Sequence, residues 1–199
     1  MPRENHRERL LSGALTCLRE KGYARTTARD IAAASNSNLG SIGYHFGSKE
    51  ALLNEAIREG FADWTAQVGE VAFAEAGATP LDRGRASWVA LTDTFKEHRP
   101  LMVAFVEALA QAERSDELRR QLADIYEEGR AAISGMVAAS LEEPAIAASD
   151  VRAVASLLIA ICDGLMLQWL VDPEHAPSGQ ELIAGLAAAL PAALAKEAA

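Results

Sequence analysis

Residues 22–52 read GYARTTARDIAAASNSNLGSIGYHFGSKEAL, and the order of stops and caps in this stretch decides the fold. Upstream of it, Leu10, Leu11, Ala14, Leu15 and Leu18 recur on one face of a helix predicted over residues 4–22. Gly22, behind Lys21, is a C-terminal stop because glycine enters the left-handed region without a Cβ penalty. Thr26 or Thr27 caps a short second helix through Ile31 to Ala34, and Thr27 with Asp30 three residues on is close to a capping box. Ser35-Asn36-Ser37 then interrupts the pattern, and Asn36 is able to take the left-handed conformation of a tight turn. A third helix follows from Asn38 to about His45, with Ile42 and Phe46 four residues apart and facing one core. Two short helices joined by a three-residue turn behind a longer one make a helix-turn-helix.

Downstream, Ser48 caps a fourth helix over 48–75, carrying Leu52, Leu53, Ala56, Ile57, Phe61, Trp64 and Val68 inward. After the Ala76–Pro80 break a helix is predicted over 82–98, ending before Pro100, which would sit in the first turn of the next helix over 100–113. Ser115 caps a helix over 116–141, and Glu142-Glu143-Pro144 is a loop. Ser149-Asp150 opens an apolar helix that Asp172-Pro173 closes, and Ser178 with Glu181 caps a last helix over 179–195. The reading is all-α with about nine helices, since no stretch alternates as a strand would. It divides into a helix-turn-helix domain over 1–47 and a helical domain over 48–199.

Charge sharpens that division. The 199 residues carry a net charge of -9, yet residues 1–49 hold eight Lys/Arg against four Asp/Glu. Such a split between the halves points to a nucleic-acid-binding N-terminal end. Cys17 and Cys162 are far apart and form no disulfide framework or metal pattern. The four histidines are scattered, and there is no nucleophile elbow, phosphate loop or dinucleotide fingerprint. No enzyme, cofactor or metal is expected. The apolar run 153–171 has the length of a membrane span, but Asp163 at its centre is costly in hydrocarbon, so a packed helix is expected instead. With no leader of the secretory kind, the expected location is the cytoplasm.

The stretch from Gly22 to Ala32, and that from Asn38 to Leu52 with its Tyr44-His45-Phe46-Gly47-Ser48-Lys49 run, resemble the tetracycline-repressor family of bacterial regulators. In one place the sequence departs from that pattern, with Ser35-Asn36-Ser37 at the turn where the family usually shows Ala-Gly-Val. The C-terminal half matches in outline only, through its helix count and the Asp163-Gly164-Leu165 to Asp172-Pro173 pattern. The resemblance implies a regulator, most often a repressor, that binds a palindromic operator in double-stranded DNA as a homodimer and is released by a small-molecule effector. The alternatives are a DNA-binding regulator without small-molecule control, or an activator.

The resemblance places Asn38 to His45 in the major groove, with Asn38, Leu39, Gly40, Ser41 and Gly43 toward base edges. Thr26, Thr27, Arg29, Tyr44, His45 and Lys49 would hold phosphates. Gly40 and Gly43 allow close approach to DNA, or else relieve packing within the domain. Arg3 and Arg7 are either DNA-contacting arm residues or part of a solvated tail. The dimer surface is assigned to Val154, Leu158, Ile161, Leu165, Leu182, Leu186 and Leu190. Asp163 is either an acid of that surface or one of the pocket. The pocket, inferred from the resemblance, draws on Trp64, Trp88, Phe95, Met102, Phe105, Tyr126, Met166 and Trp169, and its apolar composition suits an apolar or amphipathic effector.

Overall fold

Helix stops and caps appear where the residue types call for them. In the computed structural model, which describes residues 6–141 and 147–197 (190–197 by backbone alone), nine helices and no strand occur among the described residues. They are α1 (His6–Lys21), α2 (Ala28–Ala34), α3 (Leu39–Phe46), α4 (Lys49–Ala72), α5 (Pro80–Asp93), α6 (Phe95–Ala112), α7 (Asp116–Ser140), α8 (Ala148–Val171) and α9 (Gly179–Glu197). Arg3, the Glu142–Pro144 loop and the Leu190 side chain lie outside what is described.

Gly22 ends α1 at φ +79°, and Asn36 turns the chain between α2 and α3 at φ +48°. Thr27 accepts the Asp30 N–H at 3.2 Å, while the Asp30 carboxylate takes the Thr27 N–H at 2.9 Å, closing the capping box. Ser48, Ser115 and Ser178 cap α4, α7 and α9 as their positions predict. Several boundaries differ from expectation: α4 ends at Ala72 rather than 75, and α5 starts at Pro80, behind a Thr79–Asp82 capping box, rather than at 82. The break between the fifth and sixth helices falls at Thr94 rather than at Pro100. The Thr92 and Thr94 hydroxyls donate back to carbonyls three and four residues earlier, which competes with helix propagation there. Pro100 then lies inside α6 as its sixth residue, just past the first turn whose N–H groups have no intrahelical partner. Likewise α8 begins at Ala148 behind an Ala147 N-cap without a side-chain bond, one residue ahead of Ser149.

The chain forms two compact units, each built from two stretches: 1–64 with 98–129, and 65–97 with 130–199. In the first, α1, α2 and α3 pack together over Leu10, Leu18, Ile31 and Ile42, with Leu52, Leu53 and Ile57 of α4 equally buried. Polar ties fix this head to its own unit. The Tyr23 hydroxyl donates to Asn54 Oδ1 at 2.8 Å, the Asn54 amide donates to Gln121 of α7, and the Ala24 N–H donates to Glu107 of α6 at 2.9 Å. Asn54 is 3% exposed, so these bonds to protein stand in for the water its oxygen and nitrogen lose on burial. Burial, with a smaller repulsion from the Glu50 carboxylate, pushes the Tyr23 phenol up to about 12. In the second unit α9 crosses close to α5, and a Cβ on Gly179 would fall 2.2 Å from the Trp88 carbonyl oxygen. Glycine is required at that crossing.

Asn54→Ala leaves the Tyr23 hydroxyl and Gln121 without their buried partner. It lowers unfolding stability by about 1–3 kcal/mol, read as a lower urea midpoint with unchanged slope. A midpoint equal to the native one contradicts the role given to Asn54.

Candidate nucleic-acid interface

α3 buries one side and opens the other. Ile42 is 3% exposed beneath it, whereas Leu39, Gly40, Gly43 and Tyr44 face outward, Tyr44 at 86%. Leu39, at 49%, is the other large side chain that α3 leaves open to solvent. His45, half-buried, meets the Tyr44 ring edge-on at 4.9 Å. Asn38 is the N-cap of α3, and its Oδ1 accepts the Ser41 N–H at 2.9 Å and the Ser41 hydroxyl at 3.2 Å. These two polar side chains therefore bind each other first, and the Asn38 NH₂ group is what remains to face outward.

The corner at the start of α2 adds a second patch. Thr27 and Arg29 are exposed there. Lys21 and Thr27 hold the Asp30 carboxyl well below the usual carboxylate range, the Lys21 hydrogen bond at 2.5 Å being the larger cause. That carboxylate stays charged and locks the cap. Lys49 Nζ donates to the Thr26 carbonyl at 3.0 Å and pairs with Glu50 at 3.2 Å, bringing the start of α4 to this corner.

Of the residues assigned to this surface from sequence, Thr27, Arg29, Asn38, Leu39, Gly40, Gly43 and Tyr44 are exposed, and Ser41, His45 and Lys49 are part-buried. Thr26 is not among them. It is 1% exposed, and its hydroxyl donates inward to the Gly22 carbonyl at 2.7 Å. Arg7 is neither arm nor tail: it lies in α1, bonds Glu55 at 2.6 Å, and sets its guanidinium 5.3 Å over the Phe46 ring. Sequence reading missed the Arg7–Glu55–Arg58–Glu128 chain of ion pairs, in which Arg58 reaches Glu128 at 3.0 Å. Glu55 and Arg58 are an i,i+3 pair on α4, but the Arg7–Glu55 and Arg58–Glu128 pairs span 48 and 70 residues and leave no local signal.

The eight residues assigned to a pocket divide four and four between the units. In the first, Phe61 lies 5.0 Å from Phe105 and Phe105 lies 5.8 Å from Tyr126, while Trp64 stacks on His98 at 4.4 Å. Met102 of the same unit is fully buried. In the second, Phe95 meets Trp169 edge-on at 5.7 Å, and Trp88 and Met166 are buried. Among residues assigned to a dimer surface, Val154 and Leu186 are exposed, Leu158, Ile161 and Leu182 are intermediate, and Leu165 is already buried in the single chain. Asp163 is part-buried on α8 beside Cys162, whose thiol is pushed up to about 12, chiefly by burial.

Known proteins resemble the chain in both its N-terminal and its C-terminal part. Residues 10–56 match the family model for bacterial regulatory proteins of the tetR family, and residues 80–195 match that for the C-terminal region of BetI-type transcriptional repressors. The chain is 32% identical over 102 residues to the transcriptional repressor KstR2 of Mycobacterium tuberculosis, covering 51% of this chain and about half, 50%, of that protein. It is 27% identical over 196 residues to the repressor DhaR of Mycobacterium sp. strain GP1, covering 96% of each. The transcriptional regulator BetI of Burkholderia thailandensis is 29% identical over 167 residues, covering 83% of this chain and 82% of that one. Among solved structures, a transcriptional regulator of Rhodococcus sp. RHA1 superposes with a TM-score of 0.72 at 20% identity, covering 92% of this chain and 94% of the other, and so shares the fold. Helix order, N-terminal head and both family models lead to one conclusion: the chain belongs to the tetR family of bacterial transcriptional regulators.

Proposed function

We propose that the protein is a cytoplasmic, ligand-responsive repressor that binds a palindromic operator in double-stranded DNA as a homodimer and is released by a small-molecule effector. The observation that carries the DNA-reading part is the outward face of α3, with Tyr44 left 86% exposed over a helix anchored by Ile42. The surplus of basic residues in 1–49 supplies the attraction to phosphate. In this reading Thr27, Arg29, Tyr44, His45 and Lys49 hold the backbone, and Leu39, Gly40, Gly43, the Asn38 NH₂ group and the Ser41 hydroxyl oxygen face base edges. Thr26 shapes the corner from within.

The homodimer part is supported by α8. An 18-residue window of it reaches a mean hydropathy of 2.0, high enough for a membrane span, yet Val154, Leu157, Leu167 and Val171 stay exposed. A second copy of α8 and α9 would cover that face, with Asp163 tolerated at a dyad rather than in hydrocarbon. The effector part is supported by the aromatic rings of α4, α6 and α7, which suit an apolar or amphipathic molecule. The same helices hold the head through Asn54, Glu107 and Gln121. An effector that prefers a shifted α6 or α7 would therefore move the head with them.

Selection from genomic fragments with the purified protein recovers a short near-palindrome. Affinity for it falls steeply with salt, and Arg29→Ala reduces the salt slope by about 1. No enrichment over bulk DNA, before or after refolding to remove bound effector, contradicts the proposal.

Leu157→Glu puts a carboxylate on the apolar face of α8 assigned to a second copy, at a residue 61% exposed and well inside the helix. Sedimentation velocity then shows a monomer with native circular dichroism, and operator affinity drops by at least about tenfold as the two half-sites uncouple. A Leu157→Glu dimer places the interface elsewhere.

A further inference from the structure

The two glycines of α3 have different surroundings. A Cβ added at Gly40 would lie 3.2 Å from Asn38 Oδ1, the oxygen that caps the helix, so Gly40 has a use inside the fold. A Cβ added at Gly43 would meet nothing within 4 Å, and Gly43 has no left-handed backbone angle. The fold has no need of glycine at 43, where it is the least favourable residue for a helix interior apart from proline. The space that Gly43 keeps clear is outside the protein.

Leu39 stands four residues before Gly43 and so shares its face of the helix, with 49% of its surface exposed. Meanwhile the Ser41 hydroxyl donates its proton to the side-chain oxygen Oδ1 of Asn38, so neither group is free for a second role of that kind. The outward strip is thus apolar and low in profile at its centre, flanked by the Tyr44 phenol.

We infer that Gly43 is a clearance residue for operator reading: it lets the α3 backbone lie against the base-pair edges, and so seats Leu39 on the 5-methyl group of a thymine. The inference rests on the DNA-reading proposal and adds which residues set specificity and what they read. A methyl group at 43 would hold the helix off the groove, weakening contacts that each discriminate bases by hydrogen bond or methyl contact. The same methyl would favour the free helix. Stability and binding therefore move in opposite directions, which a residue needed for folding cannot produce.

The test compares the native protein, Gly43→Ala, Gly43→Leu and Leu39→Ala on the shortest duplex that the native protein recovers. The same duplex is also made with deoxyuridine replacing each thymine in turn. Gly43→Ala raises the melting temperature by about 2–4 °C and weakens binding by about tenfold or more, and Gly43→Leu weakens it further. One deoxyuridine position per half-site weakens binding by the native protein but not by Leu39→Ala. Native affinity in Gly43→Ala overturns the inference, as does weaker binding without thermal gain, which would give Gly43 a structural role. Deoxyuridine tolerated at every position overturns the methyl contact. A native protein that recovers no duplex overturns the DNA-reading proposal itself, a different outcome from native recovery with an indifferent Gly43→Ala.

Discussion

The placement of the head depends on one buried amide. Asn54 accepts from Tyr23, which lies at the corner between α1 and α2, and donates to Gln121 on α7. A primary amide buried among leucines costs several kcal/mol unless its groups are bonded. Here its oxygen and its NH₂ group are each bonded by a residue from a different part of the chain. The corner has little freedom to rotate about α4 without breaking one of these bonds. Glu107 adds a second hold on the same corner by accepting the Ala24 N–H, and the Arg7–Glu55–Arg58–Glu128 chain ties α1 and α7 to α4 from another side. Helices α6 and α7 thus reach the head through hydrogen bonds as well as apolar packing.

A second constraint acts on the outward face. Short helices need their free N–H groups satisfied, and α2 has seven residues and α3 eight. Thr27, Asp30, Asn38 and Ser41 meet that need with the polar atoms that could otherwise have faced a ligand. Building the head and reading with it therefore draw on the same side chains. What α3 offers outward is mostly leucine, backbone and a phenol, which shifts recognition from side-chain hydrogen bonding toward close fit.

This division explains what could be read from sequence. Gly22, Asn36 and the Thr27/Asp30 and Ser178/Glu181 boxes are local signals, each acting within four residues, and each appears where its residue type requires. The Thr94 break was obscured because Pro100 carries the louder signal, whereas hydroxyls returning to their own helix carbonyls leave no mark in hydropathy. Thr26 belongs by position to the outward corner, but the Gly22 turn rolls it inward to the Gly22 carbonyl. Neither the Lys49 bond to the Thr26 carbonyl nor the Ala24 bond to Glu107 has a periodic signature, since their partners lie 23 and 83 residues away. The outward set on α3 was legible for the converse reason: an eight-residue helix with Ile42 inside has few other ways to turn.

Hydrogen exchange of the amides, followed with and without operator duplex, addresses the central claim most directly. If the outward face of α3 and the corner at Thr27 meet DNA, exchange slows across residues 27–30 and 38–49 on binding. Slowing elsewhere in the head should then be smaller. Unchanged exchange in 38–49 on a protein demonstrably bound to duplex would place the DNA on another surface and contradict the account.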